Sequence, residues 1–283
     1  MFKMSKIILF LLMVSGLLFG QDAEGEEKKA PEYGWKNDVM FNFSFTQNSF
    51  DNWSQGGESS WAWQTDLLAK FINDQAKYNW ANSGKLSYGK AKLGDLDARK
   101  AADEIKIESV FTYKMGKSTH VNPYVSITGL TQFVAGFEYS DTSSVEISNF
   151  MDPGYFTESA GVGYAKGDNF KTRLGVAFKQ TITDKFADRY ALGETFRSEY
   201  GMESATDFTW PLAETIVYTG KLLLFSNMKR FDEIDVDWDN VFVGKITDLL
   251  NATLTIRLFY DRDISTKRQL RQALAVGISY AIL

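Results

Sequence analysis

The chain closes on a strict alternation. Leu274, Val276, Ile278, Tyr280 and Ile282 take one parity, and Ala273, Ala275, Gly277, Ser279 and Ala281 take the other. Successive side chains of a β-strand point to opposite faces, so this segment has one apolar face and one face of small residues. The segment before it behaves alike: Leu254, Ile256, Leu258 and Tyr260 alternate with Thr253, Thr255 and Arg257, and only Phe259 breaks the pattern. The same period recurs upstream. Ile105, Ile107, Phe111 and Tyr113 alternate with Glu104, Lys106, Glu108 and Thr112; Leu174, Val176 and Phe178 with Arg173, Gly175 and Lys179; Val236, Trp238 and Phe242 with Asp235, Asp237 and Asp239. Helical spacing is nowhere sustained over a comparable length, so the chain is predicted to be all-β.

The spacing predicts strands near 38–47, 59–72, 77–91, 103–114, 121–137, 155–166, 169–182, 198–209, 213–226, 233–245, 250–261 and 270–282. These are longer than the ~5–6 residues of soluble sheets and fit the ~9–11 residues that a tilted strand needs to cross hydrocarbon. About twelve strands is an even count, as is usual for single-chain bacterial barrels. Short connections at 73–76, 115–120, 167–168, 210–212 and 246–249 alternate with longer ones at 48–58, 92–102, 138–154, 183–197, 227–232 and 262–269. Short turns on one side and long loops on the other are the asymmetry of a transmembrane barrel. The expected fold is therefore an antiparallel transmembrane β-barrel of about twelve strands, with short periplasmic turns and longer extracellular loops. A lipid-exposed sheet must close, because unpaired backbone groups at an edge cost several kcal/mol each in hydrocarbon. The rival fold is a water-soluble lipocalin-like barrel or sandwich, whose apolar face would point inward; periodicity alone does not separate the two.

Four further features favour the membrane. Lys3 and Lys6, the apolar run Ile7–Phe19, and Gly20-Gln21 have the anatomy of a secretory signal peptide over residues 1–20. Residues 21–36 read as a flexible acidic segment and 37–283 as the barrel. No apolar run reaches the ~18 residues of a transmembrane helix. Aromatic residues make up 15% of the chain and gather near segment ends: Trp61, Trp63 and Phe71; Tyr78 and Trp80; Tyr113; Phe137; Phe170 and Phe178; Trp210. Tyr and Trp favour the membrane–water interface. The mean hydropathy of −0.24 is what an apolar face interleaved with a charged one would average to.

Several chemistries are excluded. There is no Cys, which rules out disulfides, thiolate metal sites, Cys nucleophiles and a lipidated N-terminal Cys. There is one His, His120, in an expected turn among the turn residues Lys117, Ser118 and Thr119, and nothing else completes a nucleophile–base constellation, so a barrel-embedded hydrolase is disfavoured. The formal net charge is −5, and loss of Lys3 and Lys6 with the leader makes the chain more acidic, against nucleic-acid binding. No catalytic, cofactor-binding or metal residue is assigned, and the chain reads as a non-enzyme.

Asn48-Ser49-Phe50-Asp51-Asn52-Trp53-Ser54-Gln55-Gly56-Gly57-Glu58 resembles the S-F-x-N-W-x-x-G-G-E motif of the DUF3078 family, uncharacterised outer-membrane β-barrel proteins of Bacteroidetes-type bacteria. Lys85-Leu86-Ser87-Tyr88-Gly89, Arg99-Lys100-Ala101-Ala102-Asp103-Glu104-Ile105, Tyr200-Gly201-Met202-Glu203-Ser204, Leu224-Phe225-Ser226-Asn227, Asp235-Val236-Asp237-Trp238-Asp239-Asn240 and Tyr260-Asp261-Arg262-Asp263 follow in the family's order. The resemblance implies an outer-membrane barrel of this size, with no assigned enzyme activity.

The inward parity carries Lys70, Lys85, Glu104, Lys106, Glu108, Arg173, Lys221, Asp235, Asp237, Asp239, Lys245 and Arg257 as candidate lumen residues. Asp235, Asp237 and Asp239 share a face and can be read as a Ca²⁺ site, but a turning Gly and a closing Glu are missing. The plainer reading pairs them with Lys221, Lys245 or Arg257. In the family-motif loop, Asn52, Trp53, Gly56, Gly57 and Glu58 read either as a tight turn anchored by Trp53 or as a tip folded into the mouth, and the turn is favoured. Gly161, Gly163, Gly175 and the small face of the last strand leave room in the lumen. The expected function is a narrow porin-like channel for small polar solutes in the outer membrane. The other reading is a structural or ligand-binding barrel using the 139–155 and 186–196 loops. Expected partners are outer-membrane lipid, the barrel-assembly machinery and a small polar solute, with both termini in the periplasm. The final residue, Leu283, is not the terminal aromatic that the assembly machinery often recognises.

Overall fold

The computed structural model of the chain describes residues 33–283, except 53, 117–119, 141–142, 168, 232 and 283. The expected signal peptide and most of the acidic segment lie outside the described residues, as does Trp53. The strands are β1 (Gly34–Asn48), β2 (Ser60–Asp74), β3 (Tyr78–Leu93), β4 (Arg99–Tyr113), β5 (Val121–Thr131), β6 (Gly136–Tyr139), β7 (Ser144–Ser148), β8 (Gly154–Lys166), β9 (Phe170–Ile182), β10 (Phe196–Ala213), β11 (Ile216–Asn227), β12 (Ile234–Lys245), β13 (Leu250–Tyr260) and β14 (Gln269–Ala281). A single helical turn, α1 (Ala187–Tyr190), lies between β9 and β10.

Twelve strands close into one barrel in the order β1-β14-β13-β12-β11-β10-β9-β8-β5-β4-β3-β2. All neighbours are antiparallel, and β14 returns to β1 from Met40 opposite Ala281 to Ser44 opposite Gly277. β6 and β7 form a separate hairpin inside the β5–β8 connection. The strand count and the closure match the expectation from periodicity.

Four boundaries differ by four residues or more, each for a local reason. β1 begins at Gly34, before the expected strand start at 38 and the expected barrel start at 37, because Gly34 to Lys36 already pair with Asp74 to Ile72. The strand expected over 121–137 ends at Thr131, and Phe137 belongs to the hairpin above the barrel. The long loop expected at 92–102 shrinks to 94–98, because β3 and β4 keep pairing up to Ala91 opposite Arg99 by absorbing a bulge after Gly89. The turn expected at 210–212 lies at 214–215. β10 carries Pro211 through to Ala213 at a β-bulge, the irregularity where a strand tolerates a proline without its N–H.

The burial is inside out. The outward parity exposes large apolar side chains from almost every strand: Ile107, Val125, Val162, Leu174, Val176, Leu270, Ile278 and Leu274, the last 73% exposed. Buried charged residues, Glu104, Arg173, Glu199 and Glu203, lie on the other parity. A continuous apolar belt of this extent far exceeds the few hundred Å² that water-soluble surfaces carry, and acyl chains are the solvent that suits it. The soluble alternative, with the apolar face inward, is thereby removed.

Aromatic residues crowd the short-turn rim of that belt. Trp35 meets Trp80, Tyr78 stacks on Phe111, Tyr164 meets Phe170, and Tyr218 lies between Phe208 and Phe242. The Tyr218 hydroxyl donates to Asn240 Oδ1 at 2.6 Å. Trp80 likewise donates its indole N–H to Ser109 at 2.9 Å, so these rings are apolar in body and satisfied at the polar tip, which is what the interface rewards.

Candidate functional site

Strand register fixes which side chains face inward, and contacts between strands that are not neighbours confirm it. The Arg257 guanidinium on β13 reaches Glu104 on β4 at 2.7 Å, a contact made only across the barrel interior. Around Glu104, Lys85 adds a second contact at 2.8 Å. Arg257 also grips Asp237 with two parallel N–H donors, at 2.8 and 2.9 Å, and lies 3.6 Å from Asp239. Such a fork is the strongest geometry that a carboxylate offers a guanidinium.

Toward the short turns, Glu108 takes hydrogen bonds from both Arg173 on β9 and Lys221 on β11. Lys221 also lies 3.3 Å from Asp207, and Arg173 lies 3.7 Å from Glu203. Ser159 donates to Glu203 at 3.1 Å and shares a 2.9 Å hydrogen bond with Tyr124. Toward the long loops, Lys179 sits between Asp235 at 2.8 Å and Asp261 at 2.9 Å, with the Phe225 ring beside it. Asp235 therefore pairs with Lys179 and not with the residues expected from sequence. Lys221 goes to Glu108 and Asp207, and Lys245 goes to Asp248 in the 246–249 turn. The three Asp on β12 lie against Lys179 and Arg257 and have cation partners already. Lys70 lies opposite Asp38, and Lys106 opposite Lys85.

The lumen is filled unequally. On β9 and β10 the inward side chains are packed: Ala205 is 1% exposed and Thr181 2%. The room that Gly161 and Gly175 leave is occupied, since a Cβ on Gly175 would stand 2.7 Å from the Tyr124 hydroxyl. Arg173 lies over the same Tyr124 ring. These glycines were expected to open a passage, and they instead admit a tyrosine. Across the barrel, the inward residues of β14 are open: Ala273 and Ala281 are exposed, and Ala275, Gly277 and Ser279 are half-buried. Asn42 and Ser44 of β1 continue this wall, with Ser279 donating to Asn42. An opening of ≈ 750 Å³ lies at the long-loop end of β1–β4, lined by Thr46, Asn48, Ser60, Ala62, Ala91 and Arg99 among others.

The mouth is braced by side chains that sequence reasoning largely passed over. Asp263 accepts from Arg230 at 2.7 Å and from Arg197 at 2.5 Å. Partial burial works against its charge, but the two guanidinium hydrogen bonds prevail and hold its pKa below the usual carboxylate range. Arg197 also bonds Glu199, and Glu233 joins Arg230 to Arg262. The Arg99-Lys100-x-x-Asp103 motif anchors the long β5–β8 connection. Arg99 stacks on Tyr139 at 4.1 Å, Lys100 donates to the Val134 carbonyl at 3.0 Å, and Asp103 accepts the Phe133 and Val134 N–H groups at 2.7 and 3.1 Å. Asp152 ties this loop to the next by accepting the Thr183 hydroxyl and the N–H groups of Asp184 and Lys185.

In the family-motif loop, Asn52 has φ 51°, Gly56 78° and Gly57 150°. A Cβ on Gly57 would lie 2.7 Å from the Phe50 ring, and one on Gly94 would meet the Glu58 carboxylate. Gly57 thus packs on Phe50 within the loop, and Glu58 packs on Gly94 in the 94–98 turn. His120 is exposed, with Nδ1 3.1 Å from the Ala165 carbonyl. Among the described residues no group of three or more His, Asp or Glu is placed to hold a metal.

The lumen residues missing from the sequence reading were within reach of its own rule. Arg271 shares the parity of Ala273 and Gly277, and Arg197 and Glu199 that of Glu203. Arg197 falls in the segment expected as the 183–197 loop, and the small residues that follow Arg271 dominate the pattern of its strand.

Among solved structures, the translocator domain of the autotransporter NalP from Neisseria meningitidis matches with a TM-score of 0.38 and 10% identity, over 98% of this chain and 95% of that one. An outer membrane channel from Pseudomonas putida F1 matches with a TM-score of 0.40 and 8% identity, over 92% and 99%. The NanC porin matches with a TM-score of 0.37 and 6% identity, over 86% and 97%. Likeness at this level assigns no function. No curated protein matches the chain. Residues 45–137, from the end of β1 into the β6 strand, match the family described as Protein of unknown function (DUF3078), a stretch that holds the Asn52–Glu58 loop and the Arg99–Asp103 anchor.

Proposed function

We propose that this protein is an outer-membrane barrel providing a narrow polar passage for small polar solutes. The observation that carries this is the unequal filling of the lumen. The charged side chains of β4 and β9–β13 meet across the interior and consolidate one half, while most of the inward wall of β14 and β1 stays small and accessible. The stretch of passage bordered by Ala275, Gly277, Ser279, Asn42 and Ser44 is polar, uncharged and narrow, and Arg271 follows on the same face of β14 toward the long loops. On this reading residues 1–20 are a signal peptide, the short turns and both termini are periplasmic, and the barrel-assembly machinery inserts the chain. No catalytic step is assigned. Reconstitution into planar lipid bilayers tests the reading: small, steady conductance steps are expected, and a bilayer no more conductive than its blank removes it.

A second reading rests on the cap above the barrel. The β6–β7 hairpin and the α1 loop expose Phe137, Val145, Phe150 and Leu192 away from the lipid belt. Exposed apolar groups on an ordered loop suit a protein or polymer partner. Deleting 137–147 abolishes partner capture on this reading and leaves conductance unchanged on the first.

A further inference from the structure

The register sets like charges directly opposite each other twice on the lumen side: Lys85 opposite Lys106, and Arg257 opposite Arg271. Directly opposed like charges destabilise a sheet. In each pair one member is neutralised. Lys85 is held by Glu104, and Arg257 by Glu104, Asp237 and Asp239. The other member is not: among the described residues, Lys106 and Arg271 have no carboxylate within ion-pairing distance. The Arg271 guanidinium extends from β14 across the lumen to the Ala101 carbonyl on β4, at 3.2 Å. It is exposed and keeps spare N–H donors. Two acids border the open wall: Asp66, opposite Asn42, and Asp38. Asp66 accepts from Gln64 at 2.9 Å and Ser87 at 2.6 Å, and Asp38 faces Lys70.

We propose that Arg271 and Lys106 form an anion-selecting step in the passage, and that the solutes are small oxyanions, carboxylates or phosphates. The planar fork of Arg271 matches two oxygens of either group, and Lys106 supplies a point charge further along. Most carboxylates that would repel such a solute are committed to Lys85, Arg257, Lys179 and Lys221; Asp66, held by the neutral Gln64 and Ser87, keeps its charge and works against the step. This assignment rests on the passage proposed above.

The test is the reversal potential of the reconstituted barrel under a KCl gradient, repeated with potassium acetate and with inorganic phosphate. Preference for the anion over K⁺ is expected in all three salts. In the Arg271→Gln/Lys106→Gln double variant the anion-to-cation permeability ratio is expected to fall roughly two- to five-fold, the effect of removing unit charges a few ångströms from an ion in water. Retained heat-modifiable gel mobility shows that the variant is folded. A conducting wild type that is cation-preferring or unselective, or a folded variant with unchanged selectivity, overturns the anion assignment and leaves the passage standing. A silent wild-type bilayer overturns the passage itself, and the assignment with it. Acetate preferred and phosphate excluded, or the reverse, identifies which oxyanion the step accepts.

Discussion

Two walls of one barrel use small residues to opposite ends. On β8 and β9, Gly161 and Gly175 lie opposite each other, and Tyr124, Ser159 and Arg173 fill the space that they vacate. On β14, Ala275, Gly277 and Ser279 stay half-buried; the β1 backbone takes the space at Gly277, where a Cβ would stand 2.5 Å from the Phe43 carbonyl, and no long charged side chain from a facing strand packs over them. The difference is set by what stands on neighbouring strands. β4, β10 and β11 supply Glu108, Glu203, Asp207 and Lys221 to the first wall, and β1 supplies Asn42 and Ser44 to the second. A small inward residue thus predicts a gap only where no long charged side chain faces it.

The largest expected effect comes from breaking the packed half. Glu108→Ala leaves Arg173 and Lys221 in the interior without their carboxylate, and removing one partner of a buried ion pair costs about 3–5 kcal/mol. Unfolding in urea, followed by heat-modifiable gel mobility, is expected to show a clear loss of midpoint. Ser44→Ala on the open wall is expected to move it by less than about 0.5 kcal/mol. Equal effects of the two would dissolve the distinction between the walls.

Steric additions sharpen it next. A Cβ on Gly161 would stand 2.1 Å from the Leu174 carbonyl, so Gly161→Val forces backbone apart and is expected to cost about 1–3 kcal/mol or more. Ala275→Phe is expected to fold normally and cut single-channel conductance by roughly half or more, since pore-lining side chains set the bore. Unaltered conductance would place the path elsewhere in the lumen.

A smaller effect belongs to the mouth. Because Asp263 is held below the usual carboxylate range, its contribution is complete above the unfolded value of about 3.9 and is lost as pH falls through its lower folded value. Limited proteolysis of the 261–268 loop is therefore expected to accelerate below about pH 4. Asp263→Asn should be cleaved quickly at neutral pH as well, with a flatter pH response. Least of all, Asp248→Ala at the exposed Lys245 rim pair is expected to leave the unfolding midpoint unchanged, since such pairs are screened by water.

Much of the fold was legible because a strand writes its two faces into every second residue. That rule placed Glu104, Glu108, Arg173, Asp237 and Arg257 on one parity without any contact being known. It failed where the backbone departs from plain pairing: at Pro211, where a bulge carries the strand past an apparent turn, and beyond Thr131, where one apparent strand divides into a barrel strand and a separate hairpin. The family motifs were legible as patterns but not as roles. Arg99 and Asp103 proved to hold a loop, and Asp261 and Asp263 to meet Lys179 and Arg197.

The sequence by itself determined the period, the strand count, and which side chains belong to lipid and which to the interior, because alternation is a local property. It also excluded thiol chemistry by composition. Only the tertiary structure decided which charges meet. Glu104 and Arg257 stand 153 positions apart, and they touch because twelve registers accumulate around a closed barrel and bring opposite walls within reach of a long side chain. The same closure decided that one small-residue wall is filled and the other is left open.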